Sequence, residues 1–297
     1  LHGRAFIPLL SSFACAIPGI MATRVIDNRR DRLTTILVAP LMTCSARIPV
    51  YTLIIAAFIP QRQVFGLFNL QGLVMFGLYA AGIVSALGAS FVAKYVFWPN
   101  EPTPPFMLEL PDYKLPRVRS LLFDLMMRAK MFLRRAGTTI FTMSVLIWVL
   151  ASFPAAPEGA TEPAIYYSFA ATIGRFIEPV LAPIGFNWQI SIALVPGMAA
   201  REVAVAALGT VYAIEGGGES TQQVAQALAA NWSLPTALSF LVWYIFAPQC
   251  MSTLAVIRRE TGAAKWAWIT FGYMLALAYV ASLITYHLAL VFLPSFS

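Results

Sequence analysis

Charge is scarce in this chain: of 297 residues only 11% are Asp, Glu, Lys or Arg, while 59% are hydrophobic. A soluble domain carries about 25% charged and roughly 45–50% apolar residues, so that class is excluded. Cysteine numbers three, and Cys15, Cys44 and Cys250 all lie in apolar segments, which rules out a secreted disulfide framework. Histidine numbers two; His2 is terminal, and His287 beside Tyr286 reads as an interfacial anchor rather than a ligand. There is no GxxxxGK[ST] phosphate loop, no HExxH and no nucleophile constellation, so no energy-coupling or catalytic site is visible. Leu1–Pro8 lacks the charged start and cleavage pattern of a signal peptide, and the chain reads as part of a longer protein.

Long apolar runs are abundant instead. Crossing a hydrocarbon core of about 30 Å takes roughly 20 residues, and the hydropathy divides into about eight membrane segments. These are 5–22, 33–60, 69–97, 138–153, 166–186, 188–214, 235–257 and 266–293. Segment 166–186 carries Arg175, Glu178, Pro179 and Pro183, which leaves a re-entrant hairpin as the rival to a crossing. Basic clusters at Arg24–Arg32, Arg117–Arg135 and Arg258–Lys265 alternate with a 215–234 loop free of Lys and Arg. The net charge of +7 therefore reads as membrane topology and not as nucleic-acid binding. Arg24 and Arg47 are expected to anchor helix ends near lipid headgroups.

Two pairs of motifs interrupt the apolar runs. One comprises Cys15-Ala-Ile-Pro18-Gly19 and Pro40-Leu-Met42-Thr-Cys44; the other comprises Pro196-Gly-Met198-Ala-Ala-Arg201-Glu202 and Pro248-Gln-Cys250-Met251. Proline and glycine break helices, and within a membrane a break persists only where protein or a water-filled cavity satisfies the freed backbone. The topology gives the two pairs opposite directions, the pattern of an inverted repeat with a midplane site. The predicted fold is thus all-α: a polytopic transmembrane helical bundle with broken helices and an inverted-topology repeat.

Thiolate and thioether sulfur prefer soft or borderline metals, which favours Fe²⁺, Cu⁺ or Zn²⁺ over Mg²⁺. Cys44 is the leading ligand candidate, followed by Cys250 and Cys15. Met42 and Met251 come next, and most of the 11 methionines are packing residues. Glu202 lies mid-span, where an ionisable group needs a partner or a cavity; it either attracts a cation or pairs with an arginine.

These motifs, with Leu108-Glu-Leu-Pro111 and Pro248-Gln-Cys250-Met251-Ser-Thr, resemble the gate regions of the bacterial ferrous iron transporter B over nearly the whole chain. The resemblance implies Fe²⁺ uptake across the bacterial inner membrane, with family gate cysteines at Cys15, Cys44 and Cys250. It also implies an N-terminal GTP-binding domain outside this sequence, which would hold GTP and Mg²⁺ and perform any hydrolysis. Further expected partners are the lipid bilayer, small cytosolic iron-transport accessory proteins and a second copy of the chain. Two departures stand out: Arg201-Glu202 replaces Lys-Glu, and Gln249 separates Pro248 from Cys250, turning the cysteine by about 100° on an ideal helix.

The predicted organisation is a first gate region with its following helix (1–98), a proline-rich connector with a basic amphipathic interfacial helix (99–136), linking membrane helices (137–186), and a second gate region with the last helices (187–297). An organic-solute carrier, nucleoside-like, and a membrane scaffold without transport activity are the alternative functions.

Overall fold

The computed structural model describes residues 3–64, 68–97, 117–154, 167–199, 201, 203–212, 221–248 and 250–292. The chain opens with two half-helices, α1 (Phe6–Ser12) and α2 (Ala16–Ala22). Next come α3 (Arg29–Val38), the 3-10 turns Ala39–Leu41 and Ser45–Arg47, and α4 (Ile48–Phe58). A minimal hairpin follows, β1 (Gln63–Val64) antiparallel to β2 (Phe68–Asn69), then the long α5 (Leu70–Phe97) and α6 (Val118–Ser152). The remainder comprises α7 (Phe169–Leu181), α8 (Trp188–Ala199), α9 (Val203–Val211), α10 (Thr221–Asn231), α11 (Leu234–Phe246), α12 (Met251–Thr261) and α13 (Ala264–Phe292).

Local sequence accounts for most of these boundaries. Asn28, Ser168 and Ser233 each accept a backbone N–H with the side-chain oxygen, capping α3, α7 and α11. Pro49 and Pro235 fall in the first turn of α4 and α11, where a missing N–H costs nothing. Thus several prolines mark where a half-helix starts again, just beyond the break.

Among the described residues, four helical stretches are long and apolar enough to cross a membrane: Arg29–Phe58, Leu70–Ala93, Leu234–Thr261 and Ala264–Phe292. A fifth exists if Phe169–Ile184 and Trp188–Met198, bent by 100°, form one span. This is fewer than the eight segments read from hydropathy, because several are half-helices too short to cross alone. The apolar part of α6 beyond Thr138 is likewise shorter than a full crossing.

The broken spans occupy the centre and the straight ones the flanks. Buried residues make up 65% of the apolar window in Leu234–Thr261 and 56% in Arg29–Phe58, against 17% in each of the spans on α5 and α13. The core joins α4, α8, α10 and α11 around Phe186, Phe240 and Trp243, with Phe186 edge-on to the other two rings at 5.8 and 5.7 Å. Serines knit α11 to α13: Ser282 Oγ donates to Ser239 O at 3.1 Å, and Ser239 Oγ to Ser282 O at 3.3 Å.

Two segments differ from their sequence reading. The amphipathic stretch 117–135 and the apolar stretch 138–153 form the single helix α6, because Gly137 alone costs only about 1 kcal/mol and no proline intervenes. The supposed loop 215–234 contains α10, whose Val224, Ala225 and Leu228 form one buried stripe. Its alanine-rich sequence is a strong helix former. The proline-rich stretch 98–116 lies outside the described residues.

Candidate functional site

The helix breaks meet one another. Ser45, beside Cys44, donates its N–H to Phe13 O at 3.0 Å and its hydroxyl to Ala14 O at 2.8 Å, joining the second break to the first. Two residues further, Arg47 Nη1 donates to Ile245 O at 2.7 Å and Nη2 to Pro40 O at 3.3 Å. Arg201, between α8 and α9, donates Nη2 to Ala247 O at 2.6 Å and Pro248 O at 2.7 Å, and Nη1 to Tyr244 O at 3.3 Å. One chain of hydrogen bonds therefore links four interruptions that lie far apart in sequence.

The need for these bonds follows from helix geometry. A helix that stops leaves its last carbonyls without N–H partners, and water is scarce at membrane depth. Arginine offers five donors in a planar fork, so one side chain answers several carbonyls. Arg47 and Arg201 are 0% and 2% exposed, and Arg201 also stands over the Tyr244 ring at 5.8 Å. The expectation that Arg47 anchors a helix at the headgroups is corrected: the carbonyls of the breaks hold it in the interior.

The three cysteines share a position. Each is extended and directly precedes a return to helical backbone: Cys15 before α2, Cys44 before the turn Ser45–Arg47, and Cys250 before α12. Cys250 thus stands at the N-terminal boundary of α12, and Gln249 lies outside the described residues. Cys44 is buried, while Cys15 and Cys250 are half-buried; Cys250 Sγ lies 3.2 Å from Thr253 Oγ1. Cys44 shares an electrostatic neighbourhood with Arg201, Tyr51 and Tyr79.

The methionines diverge. Met42 is buried against Val38, Leu41, Ala86 and Met274 in an apolar cluster, whereas Met251 is exposed. Glu202 lies outside the described residues. Among the described residues no group of three His, Cys, Asp or Glu side chains is close enough to hold a metal ion, so the sulfurs do not form one closed cage.

Sequence reading passed over several residues at these breaks. Gly19 packs on Ser12 and Pro8, and Gly197 on Tyr244 and Ala204, so each Pro-Gly pair also marks a close contact. Glu260 receives Arg24, Arg32 and Arg259 at 2.5, 3.2 and 3.8 Å, closing the basic ends of α2 and α3 onto α12. The hydrogen bonds to Glu260, and then its charge, raise the pKa of Arg24. The signal lay in the chain: one acidic residue in the basic stretch Arg258–Lys265.

Comparison with known proteins adds the decisive observation. The Gate model, described as nucleoside recognition, matches residues 1–58 and 133–264. The chain belongs to the Gate family. Between those stretches, residues 75–128 of this Gate chain match the model for the ferrous iron transport protein B C terminus. The resemblance read from the motifs is therefore borne out.

The Gate chain is 43% identical to the Fe(2+) transporter FeoB of Leptospira interrogans, over 96% of its own length and 43% of the relative's. The Fe(2+) transporter FeoB of Campylobacter jejuni is 34% identical, over 99% of the chain and 48% of the relative. A Fe(2+) transport protein A/Fe(2+) transporter FeoB fusion protein of Porphyromonas gingivalis is 33% identical, over 98% and 38%. The chain spans less than half the length of these relatives. No solved structure matches it. Its spans and its relatives make it a polytopic protein of the bacterial inner membrane.

Proposed function

We propose that this chain is the Fe²⁺ permeation region of a longer, GTP-dependent iron transporter. The observation that carries this reading is the meeting of four helix breaks, with cysteines at three of the points where helix resumes. Fe²⁺ in transit needs ligands that bind and release, and one or two sulfurs with carbonyls and residual waters suit that better than a closed thiolate cage. Cys44 and Cys250 are the proposed ligands, with Cys15 beside them. Met42, Met251 and Glu202 are subsidiary contributors along the path. GTP and Mg²⁺ belong to an N-terminal domain in the remaining length of the protein, which is also the only expected site of hydrolysis. A small accessory protein of the kind fused in the P. gingivalis relative, and a second copy of the chain, are further proposed partners.

The two halves are proposed to be inverted repeats, α1–α5 corresponding to α8, α9 and α11–α13. The packing supports this pairing. α1 lies on α2 as α8 lies on α9, α2 touches α12 as α9 touches α4, and α3 meets α5 as α11 meets α13. Each half is also two pairs of short helices followed by one long straight helix. The family description, nucleoside recognition, favours a second reading as an organic-solute carrier.

The test is Fe²⁺ flux into sealed proteoliposomes holding the full-length protein, anaerobic and reduced, with and without GTP. Flux by the native protein that is lost in folded Cys44→Ser or Cys250→Ser assigns that sulfur to the path. Normal flux in both variants makes the cysteines packing residues. A folded, GTP-hydrolysing native protein that moves nucleoside but no iron transfers the assignment to the second reading.

A further inference from the structure

The end of α11 presents an unusual balance of charge. The helix stops at Phe246, so the carbonyls of Tyr244, Ile245, Ala247 and Pro248 lack helical partners, and they lie at the negative end of the helix dipole. Two cations answer them: Arg47 takes Ile245 O, while Arg201 takes Tyr244 O, Ala247 O and Pro248 O. Neither guanidinium pairs with a carboxylate among the described residues, and the buried Nε of each has no hydrogen-bond partner. The carbonyls are thus satisfied while the arginines are not. The oxygens are thus served by hydrogen-bond donors that also carry positive charge, at the negative end of a helix.

We infer that the carbonyl oxygens of Tyr244, Ala247 and Pro248 form a divalent-cation site, and that Arg201 fills it as a tethered substitute, so that guanidinium and ion exclude one another. This rests on the permeation reading above. Converging backbone oxygens replace the hydration shell of a passing ion, and three of them with residual water bind weakly enough to release it. Cys250 follows Pro248 by two residues in the sequence, and its sulfur is a donor that favours a first-row divalent ion over calcium or magnesium. Arg201 stands at the α8–α9 break, so the guanidinium is carried by a hinge and not by a continuous helix. In the absence of an ion it seals the carbonyls against other cations; the arriving ion displaces it.

The experiment uses the full-length protein with Arg201→Ala and Arg201→Lys, measuring anaerobic Fe²⁺ binding and Fe²⁺ flux without GTP. R201A is expected to bind Fe²⁺ about tenfold more tightly and to leak, the usual scale of coupling between mutually exclusive occupants. Millimolar methylguanidinium, which reproduces the lost group, is expected to compete with Fe²⁺ and to close the leak; R201K should lie between native and R201A. Folded R201A with native Fe²⁺ affinity and no response to methylguanidinium overturns the inference. So does failure to recover either variant folded, with or without methylguanidinium, since Arg201 is then a structural cap. If only R201K folds, tighter Fe²⁺ binding supports the inference and unchanged binding overturns it. Native protein that moves no iron, while R201A gains Fe²⁺ affinity, defeats the permeation reading and leaves the carbonyl site standing.

Discussion

Arg24 clasps Glu260 across 236 positions of the chain, Nε donating to Oε2 at 2.8 Å and Nη2 to Oε1 at 2.5 Å. The carboxylate side chain is 3% exposed although the Arg24 side chain is 57% exposed, because Arg32 covers it from α3. This two-point geometry joins the end of the first broken pair to the end of α12, so the two gate motifs are tied at their basic ends as well as at their breaks.

Glu260→Gln should loosen both partners at once. Hydrogen exchange in residues 23–32 and 255–262 is expected to rise together, and Arg24→Gln introduced on top should add little. A double-mutant cycle measures this: additive effects mean that Arg24 and Glu260 do not act as one joint.

Small residues on α5 carry a second prediction. A Cβ at Gly82 would lie 2.7 Å from Thr43 Oγ1 and 3.4 Å from Leu41 O, whereas Gly72, Gly77 and Gly88 have nothing within 4 Å. Gly82→Ala is expected to cost about 1–3 kcal/mol by overpacking the turn beside Cys44. Gly77→Ala should instead be neutral or stabilise by about 0.5–1 kcal/mol through helix propensity. Thermal unfolding of the two variants in detergent separates them, and Thr43→Ala should rescue G82A but not alter G77A.

These cases indicate what the sequence discloses. Pro40 and Pro248 lie at the breaks, and Pro18 and Pro196 lie inside α2 and α8 within about one turn of one, because an absent N–H acts locally and needs no knowledge of the fold. Whether Arg47 meets lipid headgroups or carbonyls depends on Ile245, 198 positions away, and no local pattern carries that. The same holds for the small-residue face of α5: spacing identifies the face, but only tertiary packing picks out Gly82 from its neighbours. α10 was hidden for another reason. Absence of Lys and Arg marked 215–234 as external, yet membrane side and secondary structure are independent properties.

A polar knot helps hold α10 to the bundle beside its buried apolar stripe. Trp232 Nε1 donates to Tyr212 Oη at 2.6 Å, and Asn187 Nδ2 donates to the same oxygen at 3.2 Å, tying the ends of α8, α9 and α10. Trp232→Phe keeps an aromatic ring to stack on Phe58 and meet Phe240 edge-on but removes the donor. The expected loss is about 1 kcal/mol, the net worth of one hydrogen bond, and protease should cut sooner around residues 221–231. An unchanged digestion rate would mean that apolar burial alone secures α10.

Gly185 offers the sharpest stability test, because two separate costs meet there. Its φ of +83° lies in the left-handed region, and a Cβ would fall 2.2 Å from the Tyr286 ring on α13. Left-handed backbone costs a non-glycine residue about 1–2 kcal/mol, and forcing a side chain into a packed ring about 1–3 kcal/mol. Gly185→Ala is therefore expected to destabilise by about 2–5 kcal/mol, more than Gly82→Ala. Tyr286→Ala in the same chain removes the clash and leaves the backbone strain, so it should recover only part of the loss beyond its own effect. Full recovery would show that the turn at Ala182–Ile184 tolerates a side chain and that the ring alone requires glycine; no recovery would show that strain dominates. Thermal unfolding of G185A, Y286A and the double variant distinguishes the three outcomes.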